Sequence, residues 1–419
     1  MAEIPRTSNF DETVGLLRDG YDFVGKRCDR LGSDTFRTRL GLHDVICMRG
    51  PAAAEFFYDG DRFTRVSGMP VTVLMLLQDY GSVQLLDDEA HRHRKALFVE
   101  VGSQARATEL AALFERAWQD AMKDWVTRDR IVLFDEMEAL LVRVGAEWAG
   151  APLSEDEAHK RTKEYSAMLA STGSFGVPVL RALLLRERTE HWARDIISRT
   201  RSGAIAPPSS SPLEIVASHR DLAGNLLTPK VAAVELINVL RAIVAVGRFI
   251  PFAAKALYER PDLRKRILDG DDRLIGYFAE EVRRTSPFFP LIGGRARREL
   301  DWNGERIRKN QWVLLDLYGT GIQAATWPNP IAFDPDRFAT RQPTAYDFIP
   351  QGAGDRAVTH RCPGEDLTRD LIKAAVRRLA ALECVLPAQD LSVSKNNVPA
   401  QPASGVVLTD IGSNSHGDH

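Results

Sequence analysis

The chain has few cysteines, little net charge and no long uninterrupted apolar run. Its four cysteines, Cys28, Cys47, Cys362 and Cys384, lack the paired spacing of a disulfide framework or a zinc site. No Cys-x-x-Cys or His-Glu-x-x-His motif occurs. A formal charge of −2 over 419 residues gives no reason to expect nucleic acid as a partner. These absences favour a disulfide-free, cytoplasmic protein.

The same absences predict how the chain is organised. No stretch has the consecutive apolar residues of a membrane-spanning helix, and residues 1–7 have no apolar segment suited to a signal peptide. With 44% apolar and 27% charged residues, the chain can bury a large core. Because no Pro/Gly/Ser linker divides it, we predict a single domain over residues 1–411 and a disordered tail at 412–419.

Helical periodicity dominates the pattern of apolar residues, so the predicted fold class is mainly α with a minor β region. The predicted helices are Gln104–Trp125, 154–170, 189–202, Pro229–Glu259, 271–285 and 365–382. The predicted strands are 36–47, 301–306 and 312–317. The Ser- and Pro-rich segment 202–212 is typical of a loop between helices.

The most informative segment, FIPQGAGDRAVTHRCPGE at 348–365, is a glycine-bearing loop that leads into the last predicted helix. It places Cys362 among free backbone N–H groups, at the positive end of a helix dipole. Both features favour the thiolate over the thiol. With no second cysteine nearby, Cys362 is a candidate nucleophile or a single axial ligand of a metal.

Two further features precede this cysteine. Glu281 and Arg284 are three positions apart and share a helix face, as ordinary surface pairs do. Arg337 follows in a turn held by Pro335. The ordered set Glu281, Arg284, Arg337 and Cys362 resembles the cytochrome P-450 superfamily. There the first three form a structural triad behind the haem, and the cysteine is the axial ligand of the haem iron. The resemblance implies an α-helical prism with small sheets around a buried haem b.

A basic cluster, DDEAHRHRKALF at 87–98, is by itself typical of a solvated helix face. His91 and Lys95 lie one turn apart and can point the same way. The resemblance implies that they bind haem propionates, carboxylates that suit charge-assisted hydrogen bonds. It implies the same cofactor-binding role for Arg65, Arg295 and His360.

The long apolar helix contains an arginine where most P-450 monooxygenases have an acid–alcohol pair. Burying an unpaired guanidinium is costly, so Arg241 needs an anionic partner. Glu235, six residues earlier, lies about 240° round the helix and is not on the same face. The partner is therefore either a carboxylate from another segment or the carboxylate of a substrate, held by a bidentate fork.

The arginine resembles that of the fatty-acid peroxygenase branch of the superfamily. In that branch it binds the fatty-acid carboxylate, which serves as acid and base toward hydrogen peroxide. The product is an α- or β-hydroxy acid, and no redox partner is required. The matching segments are 11–13, 54–58, 91–98, 231–241, 281–290, 316–319 and 349–352.

Gln84 refines the expected product. Branch members that decarboxylate fatty acids often have histidine at the matching position, whereas hydroxylating members often have glutamine. The resemblance thus favours hydroxylation of long-chain fatty acids and gives Arg241 and Gln84 catalytic roles. The residues expected to line the acyl pocket, with core packing as the alternative, are Phe288, Phe289, Pro290, Leu291, Leu77 and Val73.

One departure from the branch affects the mechanism. Residue 242 is alanine, whereas the arginine is normally followed by proline, which bends a helix. A straighter helix would shift Arg241 and weaken the use of peroxide. Four alternatives therefore stay open: a decarboxylase that forms terminal alkenes, a reductase-dependent monooxygenase, a fatty-acid- or haem-binding protein with little turnover, and a non-haem cysteine hydrolase.

Overall fold

The computed structural model describes residues 3–412, so the predicted tail lies outside the described residues except for Gly412. The described chain is mainly helical with small sheets, which confirms the predicted fold class. The helices, in chain order, are α1 (Thr13–Asp19), α2 (Phe23–Leu31), α3 (Pro51–Tyr58), α4 (Val71–Val73), α5 (Asp88–Val101), α6 (Gln104–Trp125), α7 (Leu133–Ala149), α8 (Glu155–Ala170), α9 (Val177–Arg201), α10 (Pro212–Ser218), α11 (Pro229–Val246), α12 (Phe249–Glu259), α13 (Pro261–Leu268), α14 (Asp272–Thr285), α15 (Leu317–Gly321), α16 (Arg337–Thr340) and α17 (Glu365–Ala381).

The strands form one larger sheet and two small ones. They are β1 (Thr35–Leu40), β2 (His43–Met48), β3 (Phe63–Thr64), β4 (Arg130–Val132), β5 (Leu291–Ala296), β6 (Leu300–Trp302), β7 (Glu305–Ile307), β8 (Trp312–Asp316) and β9 (Val407–Thr409). The larger sheet has the order β1-β2-β8-β5-β3, in which only β2 and β8 are parallel. The predicted strand at 36–47 is the β1–β2 hairpin, and the one at 301–306 is the pair β6–β7.

Local sequence signals explain most helix boundaries. Helix α6 has the predicted bounds. Helices α8 and α14 each begin one residue later than predicted, because Ser154 and Asp271 are N-caps whose side chains accept hydrogen bonds from backbone N–H groups three positions on. These caps satisfy donors that the first turn of a helix leaves free.

Two predicted helices differ from the structure. Helix α9 begins at Val177, not at 189, because the exposed Leu180 and Leu184 interrupt the amphipathic pattern of its first turns. The predicted helix Pro229–Glu259 is two helices, α11 and α12. Glycine is a poor helix former, and Pro251 has no N–H to donate to the carbonyl of Gly247. The chain therefore breaks its helical pattern at Gly247.

Helix α11 lies at the centre of the fold, packed against α7, α9 and α17. By length and composition, Pro229–Glu259 also resembles a membrane span, but 89% of its most apolar window is buried inside the protein. That degree of burial is typical of a core helix. The core position places the side chains of α11 beside the cavity described next.

Candidate active site

The loop before α17 presents Cys362 to a buried cavity. Its backbone N–H donates to the carbonyl of Gln351 at 2.9 Å. The side-chain Nε2 of Gln351 donates to Cys362 Sγ at 3.6 Å and to Thr368 Oγ1 at 3.0 Å, while its Oε1 accepts from Arg283 at 3.0 Å. Gln351 thus holds the thiol in place. Sequence reasoning missed this role, although the residue stands in the same loop.

Burial changes the expected state of this thiol. Desolvation, with the carboxylate of Glu365 nearby, raises the pKa of Cys362, and the N–H of Gly364 lowers it by less. The expectation that the helix dipole and free N–H groups favour the thiolate is therefore outweighed in the protein alone. A bound metal cation reverses this balance, since a coordinated thiol is deprotonated outright.

The end of α5 abuts the same loop. A Cβ added at Gly102 would lie 2.6 Å from the carbonyl oxygen of Pro363, a distance that real Cβ atoms do not show. Only glycine permits this approach of one backbone to another. The helix that contains the basic cluster is thereby held against the loop that contains Cys362.

The structure brings Glu281, Arg284 and Arg337 together at the end of α14. Arg337 Nε donates to Glu281 Oε1 at 3.2 Å, and the N–H of Asp334 donates to the same oxygen at 2.8 Å. Arg284 also donates to the carbonyl of Pro330 at 2.8 Å. None of the three lines the cavity, as their expected structural role requires.

The expected propionate-binding residues cluster on one side of the cavity. The rings of His91 and His360 stack with centroids 3.9 Å apart. Lys95 Nζ donates to the carbonyl of Arg361. Arg65 lies over the Phe57 ring at 4.2 Å, and its buried Nε and Nη1 have no hydrogen-bond partner.

These basic groups are buried without counter-charge. Within residues 3–412, no carboxylate forms an ion pair with His91, Lys95, Arg65 or His360. Desolvation lowers the pKa of His91 to about 4 and that of Lys95 to about 8. Orphaned donors and buried bases facing one cavity fit the two carboxylates of a haem, and Cys362 on its wall fits the axial position.

Three of the predicted residues lie elsewhere. Arg295 donates to the carbonyl of Ser67 at 3.0 Å and lies over the ring of Trp312, outside the cavity wall. Pro290 and Leu291 are also absent from that wall, because they lead into and begin strand β5. The strand was not predicted, and its direction decides which side chains face the cavity.

The cavity has a volume of about 340 Å³ and is mainly apolar. Cys362, Arg241 and Gln84 all lie on its wall. The predicted acyl-pocket residues on the wall are Val73, Leu77, Phe288 and Phe289. Val73 and Leu77 share a face because α4 continues as one π-helical turn, Leu74–Gln78. An apolar chamber with a single cation suits an amphipathic acid.

Arg241 has no charged partner in the described part of the chain. It is 6% exposed, and Nη2 donates to Asn238 Oδ1 at 2.8 Å. Its other partners are the carbonyls of Leu76, at 3.4 Å, and Leu77. Burial, with Arg186 nearby, lowers the pKa of Arg241. A structural salt bridge, the first of the two predicted options, is therefore not what surrounds this guanidinium.

Glu235 is committed to other groups. It forms an ion pair with Arg94 at 2.9 Å and accepts from the N–H of Val83 at 2.8 Å. Asn238 connects it to Arg241, since Asn238 Nδ2 donates to Glu235 Oε2 at 2.9 Å. Sequence reasoning missed Asn238. The signal was a lone amide in an apolar helix, three residues before the arginine.

Comparisons with known proteins agree with this geometry. The cytochrome P450 family model matches residues 277–380. The taxane 10-beta-hydroxylase of Taxus cuspidata is 22% identical over 85% of this chain and 78% of its own length. The beta-amyrin 28-monooxygenase of Medicago truncatula is 22% identical over 93% and 88%, respectively.

Solved structures are more similar. Cytochrome P450SP alpha (CYP152B1), in complex with (R)-ibuprophen, is 40% identical with a TM-score of 0.93, over 96% of this chain and 98% of that one. Cytochrome P450EX alpha (CYP152N1) with myristic acid is 35% identical with a TM-score of 0.93, over 98% and 99%. Ligand-free OleT is 30% identical with a TM-score of 0.94, over 97% and 98%.

These likenesses extend over almost the whole chain and confirm the resemblance inferred from the sequence. Each of the three solved structures is a cytochrome P450. The P450 family implies haem as the cofactor and oxidoreductase chemistry. The chain therefore belongs to the CYP152 branch of the cytochrome P450 superfamily.

Proposed function

We propose that this protein is a peroxygenase that hydroxylates long-chain fatty acids at the α- or β-carbon with hydrogen peroxide. The observation that supports it is Arg241, a buried cation without a carboxylate partner on the wall that also contains Cys362. A fatty acid would supply the missing anion and fill the apolar remainder of the cavity. The P450EX alpha structure, which contains myristic acid, is consistent with such a ligand.

In this proposal the chain's own residues bind and orient the substrate. Haem held by Cys362 supplies the oxidising chemistry. The guanidinium of Arg241 fixes the carboxylate by a planar fork, and apolar side chains such as Leu77 and Phe288 hold the acyl chain. Because the carboxylate is fixed, the α- and β-carbons have a fixed position in the cavity, and this position sets the regiochemistry.

The proton transfers are assigned to the substrate. Beside Arg241, the cavity-facing residues of α11 are Ala242, Ile243 and Ala245, none of which can exchange a proton. Glu235 is committed to Arg94. The carboxylate held by Arg241 is thus the group placed to accept a proton from hydrogen peroxide and return it.

Surface charge supports peroxide over an electron-transfer partner. The cations around the Cys362 loop are paired with carboxylates of the following helix, so they leave little free positive charge for an acidic partner. The pairs are Arg356–Asp366, Arg361–Glu365, Arg369–Asp366 and Lys373–Asp370, with N–O distances from 2.6 to 3.0 Å. We propose that the enzyme needs no redox partner and acts in the cytoplasm.

The test is to incubate the purified holoenzyme with myristic acid and hydrogen peroxide, without reductase, and to identify the products by mass spectrometry. Hydroxy acids are expected, and the position of the hydroxyl distinguishes α from β. A terminal alkene would indicate decarboxylation, the second candidate, and would contradict the interpretation of Gln84. Product formation only with a reductase and an electron donor would overturn the proposal.

Arg241 provides the sharpest variant. Arg241→Ala should abolish turnover of myristic acid while the haem absorption spectrum persists, because the carboxylate loses its anchor but Cys362 is untouched. Arg241→Lys keeps the charge but not the fork, so it should retain a small fraction of the activity. Methyl myristate, which has no free carboxylate, should not be turned over by the unaltered enzyme. Tight binding without product would instead support a binding protein.

A further inference from the structure

Two side-chain amides near Arg241 can be oriented from their neighbours. Arginine only donates hydrogen bonds, and an ionised carboxylate only accepts them. Asn238 lies between one of each. Its Oδ1 must face Arg241, from which it accepts at 2.8 Å, and its Nδ2 must face Glu235, to which it donates at 2.9 Å.

This orientation determines that of Gln84. The second hydrogen of Asn238 Nδ2 can only be donated, and it points to Gln84 Oε1 at 3.3 Å. The Nε2 of Gln84 is therefore turned away from Asn238. Within residues 3–412 this nitrogen has no hydrogen-bond partner, and Gln84 lies on the cavity wall.

Glu235 anchors both ends of this arrangement. It holds Asn238 directly, and it accepts the backbone N–H of Val83, the residue before Gln84, at 2.8 Å. The carboxylate itself is fully buried and paired with Arg94. The positions of Arg241 and Gln84 are thus referred to one fixed anion.

We propose that Asn238 is a positioning residue that builds a two-donor carboxylate site from Arg241 and Gln84. It holds the Arg241 fork and turns the Gln84 amide so that Nε2, a donor, faces the substrate carboxylate. This inference rests on the proposed function, because it takes a fatty-acid carboxylate as the ligand. It assigns Gln84 the role of a second hydrogen-bond donor, which only the amide orientation reveals.

Asparagine is the residue type that this role needs. Aspartate has the same shape but only acceptor atoms when ionised. It would pair with Arg241, repel Glu235 and favour a reversed Gln84 amide, with Oε1 facing the substrate. Leucine would remove both hydrogen bonds and free the two side chains. Both changes leave Cys362 and the basic cluster untouched.

The test measures binding of myristic acid to the holoenzyme, from the change in the haem absorption band during titration. Asn238→Asp should raise the Kd about tenfold or more, and Asn238→Leu should raise it severalfold. The affinity for 1-tetradecanol, which has no carboxylate, should change less than about twofold. Asn303→Asp, the same change at an exposed position, is the matched control.

A double-mutant cycle separates positioning from simple structural damage. If Asn238 acts through Gln84, the effects of Asn238→Leu and Gln84→Leu on the Kd for myristic acid should not add, because each removes the same donor. Wild-type affinity in both Asn238 variants, equal losses for 1-tetradecanol, or additive effects would overturn the inference. The cycle uses leucine at both sites, so it does not depend on whether Asn238→Asp folds.

Arg241→Ala in the same titration tests the proposed function separately. Lost affinity there, with unchanged affinity in the Asn238 variants, would overturn only the positioning role of Asn238. Full affinity in Arg241→Ala would overturn the carboxylate anchor itself, and the inference with it.

Discussion

Glu281 accepts hydrogen bonds from both Nε and Nη2 of Arg284, each at 2.7 Å, and both side chains are completely buried. Arg337 and the backbone of Asp334 complete the coordination of this one carboxylate. A buried ion pair adds little stability beyond an apolar substitute, but removing one partner leaves an uncompensated charge. The pair therefore joins α14 to the segment around Arg337.

Glu281→Gln should lower the free energy of unfolding by about 3–5 kcal/mol, because two buried guanidiniums lose their counter-charge. Urea denaturation of the holoenzyme measures this. Glu259→Gln is the control, since that carboxylate is 51% exposed and pairs with Lys255 at the surface. Its loss should cost less than about 1 kcal/mol. Equal effects in the two variants would contradict the assigned role.

Asp316 gives a pH dependence of the opposite sign to that of most carboxylates. It is fully buried, Oδ1 accepts from Gly319 N–H at 2.6 Å, and Oδ2 has no partner. Desolvation raises its pKa to about 7. The folded state thus keeps a proton that the unfolded state releases near pH 4, so the contribution of Asp316 to stability is lost as pH rises from about 4 to about 7.

Asp316→Asn removes the titrating group but keeps the acceptor for Gly319. Urea denaturation at several pH values should show that the stability of the variant, relative to the unaltered protein, increases between about pH 4 and pH 7. A constant difference across that interval would show that Asp316 is ionised in the folded state.

Lys95 is expected to retain haem through its charge. Lys95→Met keeps most of the side-chain volume but removes the cation that faces the cavity. We expect the rate of haem transfer to excess apomyoglobin to rise about tenfold, the loss of one charge-assisted hydrogen bond. Arg92→Met, an exposed change on the same helix, should not alter this rate. Identical rates in both variants would remove Lys95 from the haem site.

Ala242 is the position at which this chain departs from its branch. In the regular helix α11, its N–H is donated to the carbonyl of Asn238, a bond that Ala242→Pro would break. We expect Ala242→Pro to lower stability by up to about 3 kcal/mol and to raise peroxide-driven turnover of myristic acid, because a bend moves Arg241. Ala242→Gly, which loosens the helix without bending it, is the control. A fall in turnover would contradict the expected effect of the bend.

Much of the fold was predictable from local signals. The bounds of α6 follow from its periodicity, and the starts of α8 and α14 follow from their N-caps. The order of Glu281, Arg284, Arg337 and Cys362 predicted which segments meet around the core. Each signal is local or depends only on order along the chain, so it survives without knowledge of tertiary contacts.

The surroundings of Arg241 were not predictable in the same way. Its partners Leu76 and Leu77 are 165 and 164 positions away and use backbone carbonyls, which have no sequence signature. Side-chain direction is equally hidden, and Arg295 lies outside the cavity for that reason. Only the packed structure decides which donors face the cavity and which face another segment.

The contact between Gly102 and Pro363 has a consequence for tolerance to change. The helix with His91 and Lys95 and the loop with Cys362 meet backbone to backbone, with no side chain between them to absorb a displacement. The three groups that would hold haem are therefore parts of one stiff frame. Substrate preference can diverge on the opposite wall, around Arg241 and Gln84, without disturbing the alignment of that frame.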